Sequence, residues 1–536
     1  MDYDVVIVGG GIAGLTSAAF LSKDGYKVLV CEKAHKLGGL VNSFDYKGFT
    51  FDGGIRAIEN SGIVFPMLRQ LGLEIAFIKN AVSIGIEQDV LILQSKDSLE
   101  AYQALLNRQF PDNLADIEHI ISEIKKIMHY MDILYGIDNP LFLDLKKDQE
   151  YLYKTILPWL FKYLLTINKI IKLNTPIEEY LLKFSNNQVL LDIIAQHFFQ
   201  KTPAFFALSY FSLYLDYQYP KGGTGSLIEQ MEKFILDNKG ELQTDTEIIK
   251  INPQLKQLTD ASGNIYGYQK LIWAADLKTL YKKMDITDLS NKIVQAKVQT
   301  KQAELADKVG GDSILTLFVT VDLAKSYFEE ICSAHFFYTP AKVGLSTLKI
   351  ADLQTNETKL TKFSYTDNKA AIIAWVKKYY ALTTYEISCP VMRDETLAPP
   401  GKTGLIISTL MEYSLVKHIA DMGWYEEFKE LSQDWMIDIL TRSIFPELKA
   451  NIIDQFSATP LSLEKLTGNS DGAITGWAFT NSFIPAVSKL PSIAKSILTP
   501  IPDIYQAGQW TFSPSGLPIS VLTGKLAADK IKKQLK

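Results

Sequence analysis

The chain has 536 residues, 47% hydrophobic and 21% charged, which is the composition of a globular protein long enough for two domains. Its formal net charge of −5 gives no reason to expect nucleic acid as a partner. No stretch reaches the roughly 18 uncharged apolar residues that a membrane-spanning helix needs. An acidic N-terminus that enters a strand at once predicts no signal peptide, so we expect a cytoplasmic protein.

The N-terminal segment carries a dinucleotide-binding pattern. An apolar strand over residues 4–8 runs into the glycine-rich turn 9–14, and a second apolar strand over 28–31 ends at Glu32. This order is typical of the dinucleotide-binding β-α-β unit. An acid at this spacing hydrogen-bonds ribose hydroxyls and disfavours a 2′-phosphate, which favours FAD or NAD over NADP. The alternative is the glycine turn of a Rossmann relative that binds no nucleotide.

Each residue type in this turn has a predicted role. Gly9 permits the tight turn out of the strand, and Gly11 leaves the backbone open to a pyrophosphate. Gly14 lets the next helix pack closely on the strands. Ile12 and Ala13 begin that helix, whose N-terminus offers free N–H groups and a partial positive charge to phosphates.

Further glycine-rich turns follow. Gly38-Gly39 comes soon after the ribose acid, and Gly53-Gly54 follows a β-rich stretch, so we expect close backbone approach to a ligand at both. An ordinary turn is the alternative for Gly53-Gly54. Near the C-terminus a strand ending at Gly508 leads through a loop to a helix over Ile519–Lys532. This arrangement predicts a second anion or carbonyl site.

Residues 62–172 have mostly helical apolar spacing, and one stretch is amphipathic. Its apolar residues recur at helical spacing and lysines flank them: Leu157, Leu160, Phe161, Leu164 and Leu165, with Lys154, Lys162, Lys169 and Lys172. Such a helix can lie on an anionic membrane surface. The alternative is a helix that faces the core.

An uncharged aromatic segment lies at 202–215, with Phe205, Phe206, Tyr210, Phe211 and Tyr214. It could line a tunnel for a long apolar substrate, or form an ordinary buried helix. The turn 222–225 does not follow a strand, so we do not interpret it as a second nucleotide loop.

The remaining β-rich segments predict two sheets. Residues 240–251 and 264–273 read as strands that return the chain to the Rossmann sheet. A second, antiparallel sheet is predicted from 313–321, 336–338, the stretch around Ile372-Ile373, and 404–408. A long helix is predicted over 424–444. The three cysteines and six histidines show no ligand spacing, so we expect no metal site.

In this order the motifs resemble the superfamily of FAD-dependent carotenoid desaturases, carotenoid isomerases and retinol saturases. The matching segments are Gly9 to Glu32, Gly38-Gly39, 51–54, 274–276, 471–477 and 508–510. The resemblance implies an α/β fold, with a discontinuous Rossmann-type FAD-binding domain over 1–80, 222–300 and 455–536. It also implies a substrate-binding domain of mixed sheet and helices over 81–221 and 301–454.

The resemblance implies FAD as the cofactor. The motifs and the resemblance together assign its contacts to Gly9, Gly11, Ile12, Ala13, Gly14, Glu32, Lys33, Gly38, Gly39, Gly53, Gly54, Ile55, Ile248, Ile249, Ala275, Gly508, Gly516, Leu517, Pro518 and Ile519. The backbone near Ile248-Ile249 would lie by the adenine. The helix start at Leu517 to Ser520 would lie by the flavin ring.

The chain departs from the family pattern at Leu40, where an arginine is common, and at Ser515-Gly516, where adjacent glycines are usual. Ile55-Arg56 replaces the Pro-Thr of desaturases and the Ile-His of saturases. Arg56 is therefore the candidate catalytic residue, able to polarise a substrate group or pair with reduced flavin. The alternative for Arg56 is a surface or structural ion pair.

The leading hypothesis is an FAD oxidoreductase that desaturates, saturates or isomerises carbon–carbon bonds of a long apolar substrate such as a carotenoid, retinoid or other lipid. A flavin amine oxidase and a non-enzymatic lipid-binding relative of the GDP-dissociation-inhibitor type are the alternatives. With one nucleotide fingerprint, we expect no separate nicotinamide domain. The sequence leaves open whether the protein contacts a membrane peripherally, which electron partner it uses and what its oligomeric state is.

Overall fold

The computed structural model describes residues 2–143, 148–355 and 364–535. Its strands are β1 Asp2–Val8, β2 Val28–Cys31, β3 Ser43–Tyr46, β4 Phe49–Asp52, β5 Phe77–Lys79, β6 Val82–Ile86, β7 Asp89–Leu93, β8 Gln218–Pro220, β9 Glu241–Gln243, β10 Ile248–Asn252, β11 Gln257–Asp260, β12 Ile265–Trp273, β13 Ser313–Val321, β14 His335–Thr339, β15 Gln354–Thr355, β16 Ser364–Tyr365, β17 Tyr385–Ser388, β18 Thr403–Met411, β19 Ile452–Ala458 and β20 Ile504–Gln506.

The helices are α1 Ile12–Lys23, α2 Val64–Leu71, α3 Ser98–Gln109, α4 Leu114–Tyr135, α5 Gln149–Tyr151, α6 Leu157–Ile171, α7 Ile177–Leu181, α8 Gln188–Ala195, α9 Ala204–Asp216, α10 Gly225–Asp237, α11 Leu277–Lys283, α12 Lys292–Ala306, α13 Lys325–Glu329, α14 Lys369–Leu382, α15 Tyr413–Asp421, α16 Tyr425–Ser443, α17 Pro460–Thr467 and α18 Leu517–Leu535. No described helix is both long enough and apolar enough to cross a bilayer.

The first sheet contains the nucleotide-binding unit. Its order is β10-β11-β12-β1-β2-β9, and β20 also pairs with β12. β9, β2, β1, β12 and β20 are parallel, whereas β11 pairs antiparallel with β10 and β12. Parallel strands are covered on both faces, which is why β1 and β2 are nearly continuous apolar runs. α1 packs against α10 and α18 on one face. The predicted Rossmann-type α/β fold is confirmed.

The second sheet has the order β19-β13-β18-β17-β14-β6-β7. All its pairs are antiparallel except β14–β6, so it is mixed. β6 and β7 lie within the region expected to be mostly helical. β6 pairs with β14 and β7 pairs with β6, so these two segments form strands instead. β19 crosses the predicted domain boundary at residue 455 and belongs to this sheet.

Two strand predictions are wrong. The stretch around Ile372 belongs to α14, where Ile372, Val376 and Tyr380 are buried at a spacing of one helical turn. The single strand expected over 240–251 is divided into β9 and β10, which lie at opposite edges of the first sheet. A turn separates them, with Asp245 at a φ of 52°. The long helix expected over 424–444 is α16.

Asp52, at the end of β4, joins three segments of the chain. Its carboxylate accepts hydrogen bonds from the Ser43 hydroxyl at 2.8 Å and the Tyr219 hydroxyl at 2.8 Å. It also accepts from the Thr224 backbone N–H at 2.8 Å and the Thr224 hydroxyl at 2.9 Å. Asp52 is 1% exposed. The turn 222–225 therefore serves to fix the backbone that leads into Gly53-Gly54.

Asp52→Ala should lower the free energy of unfolding by about 3 kcal/mol or more, because several buried donors lose their acceptor. Urea unfolding followed by circular dichroism measures the change. The matched control is Asp45→Ala in the same hairpin, where an exposed carboxylate accepts from Thr50. That substitution should stay within about 0.5 kcal/mol of the wild type. Equal losses in the two variants would contradict the role given to Asp52.

Candidate functional site

The register of the parallel strands gathers the predicted motifs at one edge of the first sheet. Val8 lies beside Cys31 and Trp273, and Trp273 lies beside Gln506. The four strands therefore end at the same level. The turn after β1, Glu32 after β2, the residues after β12 and Gly508 after β20 all follow directly at this edge. Ligands of open α/β sheets bind outside the carboxyl ends of such strands.

A cavity of about 880 Å³ opens at this edge and continues between the two sheets. Most of the predicted FAD-binding residues line it: Gly9, Gly11, Ile12, Ala13, Glu32, Gly38, Gly39, Gly53, Gly54, Ile55, Ala275, Gly508, Gly516, Leu517, Pro518 and Ile519. Arg56 lines it as well. The fold thus brings residues from both ends of the chain to one cavity.

Four predicted contact residues are not among those that line the cavity: Gly14, Lys33, Ile248 and Ile249. A Cβ on Gly14 would lie 2.0 Å from the backbone oxygen of Gly9, so Gly14 permits close packing of α1 on the turn. The Lys33 ammonium donates to the backbone oxygen of Lys465 at 3.1 Å. Ile248 is buried and Ile249 is 47% exposed. Their backbone contact with adenine stays a prediction.

The cradle has room for a dinucleotide at the glycine turn. A Cβ on Gly11 would meet no protein atom within 4 Å, so the space beside this backbone is open. Gly9 and Gly508 have positive φ angles of 106° and 96°, conformations that favour glycine. The N-termini of α1 and α18 both border the cavity and offer backbone N–H groups to negative charge. These features fit the pyrophosphate and the flavin ring of FAD.

Glu32 is held rigidly in the cavity wall. Its carboxylate accepts the backbone N–H of Gly10 at 2.7 Å and that of Ala34 at 2.8 Å. The acid at the end of β2 is thereby tied to the glycine turn after β1. A ribose lying across these two strands would meet a carboxylate whose position is already fixed.

Arg56 lies at the junction of the two sheets and is 4% exposed. Its guanidinium donates to the Asp52 backbone oxygen at 3.2 Å, to the Gly54 backbone oxygen and to the Ser408 hydroxyl at 3.2 Å. Burial lowers the pKa of Arg56, and the charges of Glu386 and Asp52 oppose that shift. Arg56 is not on the surface, and no ion pair to it occurs within residues 2–143, 148–355 and 364–535. Its catalytic role stays a prediction.

A paired acid and base, Glu386 and His335, also line the cavity. The buried His335 ring contacts the Glu386 carboxylate at 2.9 Å through Nε2 and Asn80 at 3.3 Å through Nδ1. Burial opposes ionisation of Glu386, but His335, Arg56 and Arg393 together lower its pKa. Burial also lowers the pKa of His335. Each of the two side chains is therefore the hydrogen-bond partner of the other.

The part of the cavity that α9 lines is aromatic. Phe205, Phe206, Tyr210 and Tyr214 of α9 line it, whereas Phe211 packs against Tyr102 at 4.8 Å in the helical core. Neighbouring rings contact one another with centroids 5.4–5.7 Å apart in the series Phe206, Tyr210, Tyr214 and Tyr217. Phe337 joins this wall through Tyr214, at a centroid distance of 5.0 Å. Such a wall fits an extended apolar molecule.

Glu59 is a site residue that sequence reasoning missed. It lines the cavity, and burial first, then the charge of Asp216, raise its pKa to about 7. His335 and Glu386 were missed as well, since they lie on separate strands that pair only in the folded sheet. The one sequence signal for Glu59 was its position shortly after the Gly53-Gly54 turn. No described group of three or more His, Cys, Asp or Glu residues could hold a metal ion.

Comparisons with known proteins agree with this geometry. The family of NAD(P)-binding Rossmann-like domains matches residues 7–71. The 4,4′-diapophytoene desaturase (4,4′-diaponeurosporene-forming) of Staphylococcus aureus is 21% identical over 563 aligned residues, covering 99% of this chain and 99% of that enzyme.

Solved structures share the fold over the whole chain. An oxidoreductase from Methanosarcina mazei aligns with a TM-score of 0.60 at 14% identity, covering 99% of this chain and 100% of that one. Cyclohexylamine oxidase from Brevibacterium oxydans aligns with a TM-score of 0.58 at 14% identity, covering 100% of each chain. The resemblance inferred from the motifs is confirmed. The chain is therefore similar over its full length to a carotenoid desaturase, and it has the fold of oxidoreductases that include an amine oxidase.

Proposed function

We propose that the protein is an FAD-dependent desaturase that introduces carbon–carbon double bonds into a long apolar substrate such as a polyisoprenoid. The observation that carries this proposal is the aromatic wall of α9, which continues directly from the cradle of the glycine turns in one cavity. The full-length similarity to a diapophytoene desaturase supports desaturation over saturation or isomerisation.

Different residues of the chain would bind the cofactor and align the substrate. The glycine turns and the N-termini of α1 and α18 would hold FAD, which when bound supplies a two-electron acceptor. Tyr210, Tyr214 and Phe337 exclude water and align the substrate chain along the cavity. Arg56 is fixed by backbone carbonyl groups, so its charge stays at the junction of the sheets whatever the substrate does.

Two other functions give different experimental results. A flavin amine oxidase is favoured by the shared fold with cyclohexylamine oxidase and by the Glu386 carboxylate in the cavity wall. It predicts peroxide release with amines. A lipid carrier without flavin would be colourless and would resist FAD loading.

Gly11→Ala should weaken FAD binding at least about tenfold, because the new methyl group enters the space reserved for the pyrophosphate. The FAD-free protein should keep its thermal midpoint, since that Cβ meets no protein atom within 4 Å. Flavin fluorescence titration and a thermal melt measure the two quantities. The contrasting variant is Gly14→Ala, whose Cβ would clash with the Gly9 oxygen and should lower the midpoint. Unchanged FAD affinity in Gly11→Ala would contradict the cradle.

The substrate assignment is tested by mixing the FAD-loaded protein with 4,4′-diapophytoene in liposomes without oxygen. We expect the flavin absorbance to fall while a longer polyene absorbance appears, because the electrons leave the substrate for the flavin. Cyclohexylamine is the comparison substrate. No change with the polyene, together with peroxide release from the amine under air, would favour the amine oxidase instead.

We also propose that α6 rests on the surface of a lipid bilayer. The apolar side chains predicted to be amphipathic face outward rather than into the core: Leu157 51%, Leu160 41%, Phe161 67%, Leu164 58% and Leu165 59% exposed. Lys162, Lys169 and Lys172 are exposed beside them. On its other side, α6 lines the cavity with Ile167, Ile170 and Ile171. This continuity supports a bilayer as the occupant, because an apolar substrate could pass from the lipid into the cavity.

Replacing Phe161 and Leu164 together by Glu should weaken binding to vesicles of phosphatidylglycerol and phosphatidylcholine by at least about tenfold, since the two side chains no longer enter the lipid. Vesicle sedimentation measures the binding. The matched control replaces Leu236 and Leu255 by Glu as well. These two leucines lie elsewhere on the surface and are 54% and 63% exposed. The control should bind as the wild type does. Equal loss in both variants would contradict a specific face.

The lysines give a second, electrostatic test. Replacing Lys154, Lys162 and Lys169 together by Gln should weaken binding to anionic vesicles at low salt and leave binding to neutral vesicles unchanged. Lys154 also pairs with Glu150 at 2.6 Å, so we expect Lys162 and Lys169 to carry most of the effect. Salt-independent binding to anionic vesicles would contradict an electrostatic contribution.

A further inference from the structure

Glu59 is a carboxyl group in the cavity that the fold does not use. Its Oε1 lies 3.5 Å from the point where a Cβ on Gly516 would stand, next to the start of α18. On the other side its charge acts on Tyr210 and Tyr217 of the aromatic wall. Glu59 therefore lies at the junction between the flavin cradle and the substrate end of the cavity.

The neighbours of Glu59 do not neutralise it. Throughout the described chain, no cation and no side-chain donor pairs with its carboxylate; its own backbone N–H is the hydrogen bond that favours the charged form. By contrast, Glu32 is held by two backbone N–H groups, and Glu386 is engaged by His335. Glu59 is half-buried, and an unpaired carboxyl group that is partly removed from water costs stability. A group that stabilises nothing in the fold is a candidate for chemistry.

The titratable groups that face Glu59 come from two helices and the residue that follows one of them. Asp216 and Tyr210 belong to α9, Tyr217 follows it, and Tyr135 ends α4. None of them is positively charged. Burial first and Asp216 second raise the pKa of Glu59 to about 7, so the group can be ionised or neutral near neutral pH.

We propose that Glu59 is the proton acceptor of the desaturation step. This inference rests on the proposed function. With FAD bound, one substrate carbon would lose a hydride, with its electron pair, to the oxidised flavin. The neighbouring carbon loses a proton to the Glu59 carboxylate, and the electron pair of that C–H bond forms the new double bond. Glu59 then releases its proton to solvent before the next turnover.

The first test is the pH profile of single-turnover desaturation by the FAD-loaded protein. Since the carboxylate is the active form, the wild-type rate should rise with pH and level off above a midpoint near 7. Glu59→Gln should lower the rate at least about 100-fold and remove the rising limb. Glu59→Asp should restore the limb at a reduced rate. Glu74→Gln, at an exposed position, is the matched control and should keep the wild-type profile.

A second variant moves the pKa without removing the group. Asp216 accepts the backbone N–H groups of Asn60 and Ser61, and an asparagine oxygen can still accept them. Asp216→Asn removes the neighbouring negative charge, so the rising limb should shift to lower pH. Infrared difference spectra of FAD-loaded protein, without substrate, should show a carboxylic acid band that titrates in the same range and is missing in Glu59→Gln.

The outcomes separate the two proposals. If the wild type binds FAD and polyene but does not desaturate, the proposed function fails and the role of Glu59 fails with it. If the wild type desaturates while Glu59→Gln keeps its rate within about threefold or keeps the rising limb, the role of Glu59 alone is overturned. An unshifted limb in Asp216→Asn, or an infrared band that persists in Glu59→Gln, also overturns it.

Discussion

The structure depends on the register of the parallel strands in the first sheet. Val8, Cys31, Trp273 and Gln506 lie side by side, so the chain leaves all four strands at the same edge. Backbone hydrogen bonds fix this alignment, and a shift of one residue would turn every buried side chain to the other face. Because the register is fixed, two glycine turns and an acid that are far apart in sequence form one cradle.

The second half of the cavity comes from the other sheet and from α9. Asp52 couples the two halves, because its buried carboxylate holds the hairpin that precedes Gly53-Gly54 and the turn at Thr224. The Arg56 guanidinium donates a hydrogen bond to the Ser408 hydroxyl on the second sheet. The carboxylates of Asp52 and Glu386 at this junction both have hydrogen-bond partners within the protein. The unpaired carboxyl of Glu59 is distinct for that reason, and its position between cradle and aromatic wall gives it access to a bound substrate.

Much of the fold could be predicted because its signals are local. The run Ser313–Val321 is long, apolar and β-branched, and it forms β13 with those bounds. Ile372 was misassigned because two adjacent β-branched residues outweighed the four-residue spacing to Val376 and Tyr380. The amphipathic pattern of α6 was visible, but periodicity alone does not say whether an apolar face meets the core or the surroundings. The exposure of Phe161 and Leu164 decides that point.

By itself the sequence determined the nucleotide unit, the apolar strands and the resemblance to the carotenoid desaturases, because glycine spacing, strand patterning and the acid of β2 are constraints within short segments. Tertiary structure alone decided which side chains meet in the cavity. His335 and Glu386 come together through the pairing of β14 with β17, and Glu59 meets α18 and α9 across the domain. Long-range packing creates these contacts and partly removes Glu59 from water. The segment from Gly9 to Glu32 therefore indicates a nucleotide cofactor, but it does not indicate the reaction that takes place beside that cofactor.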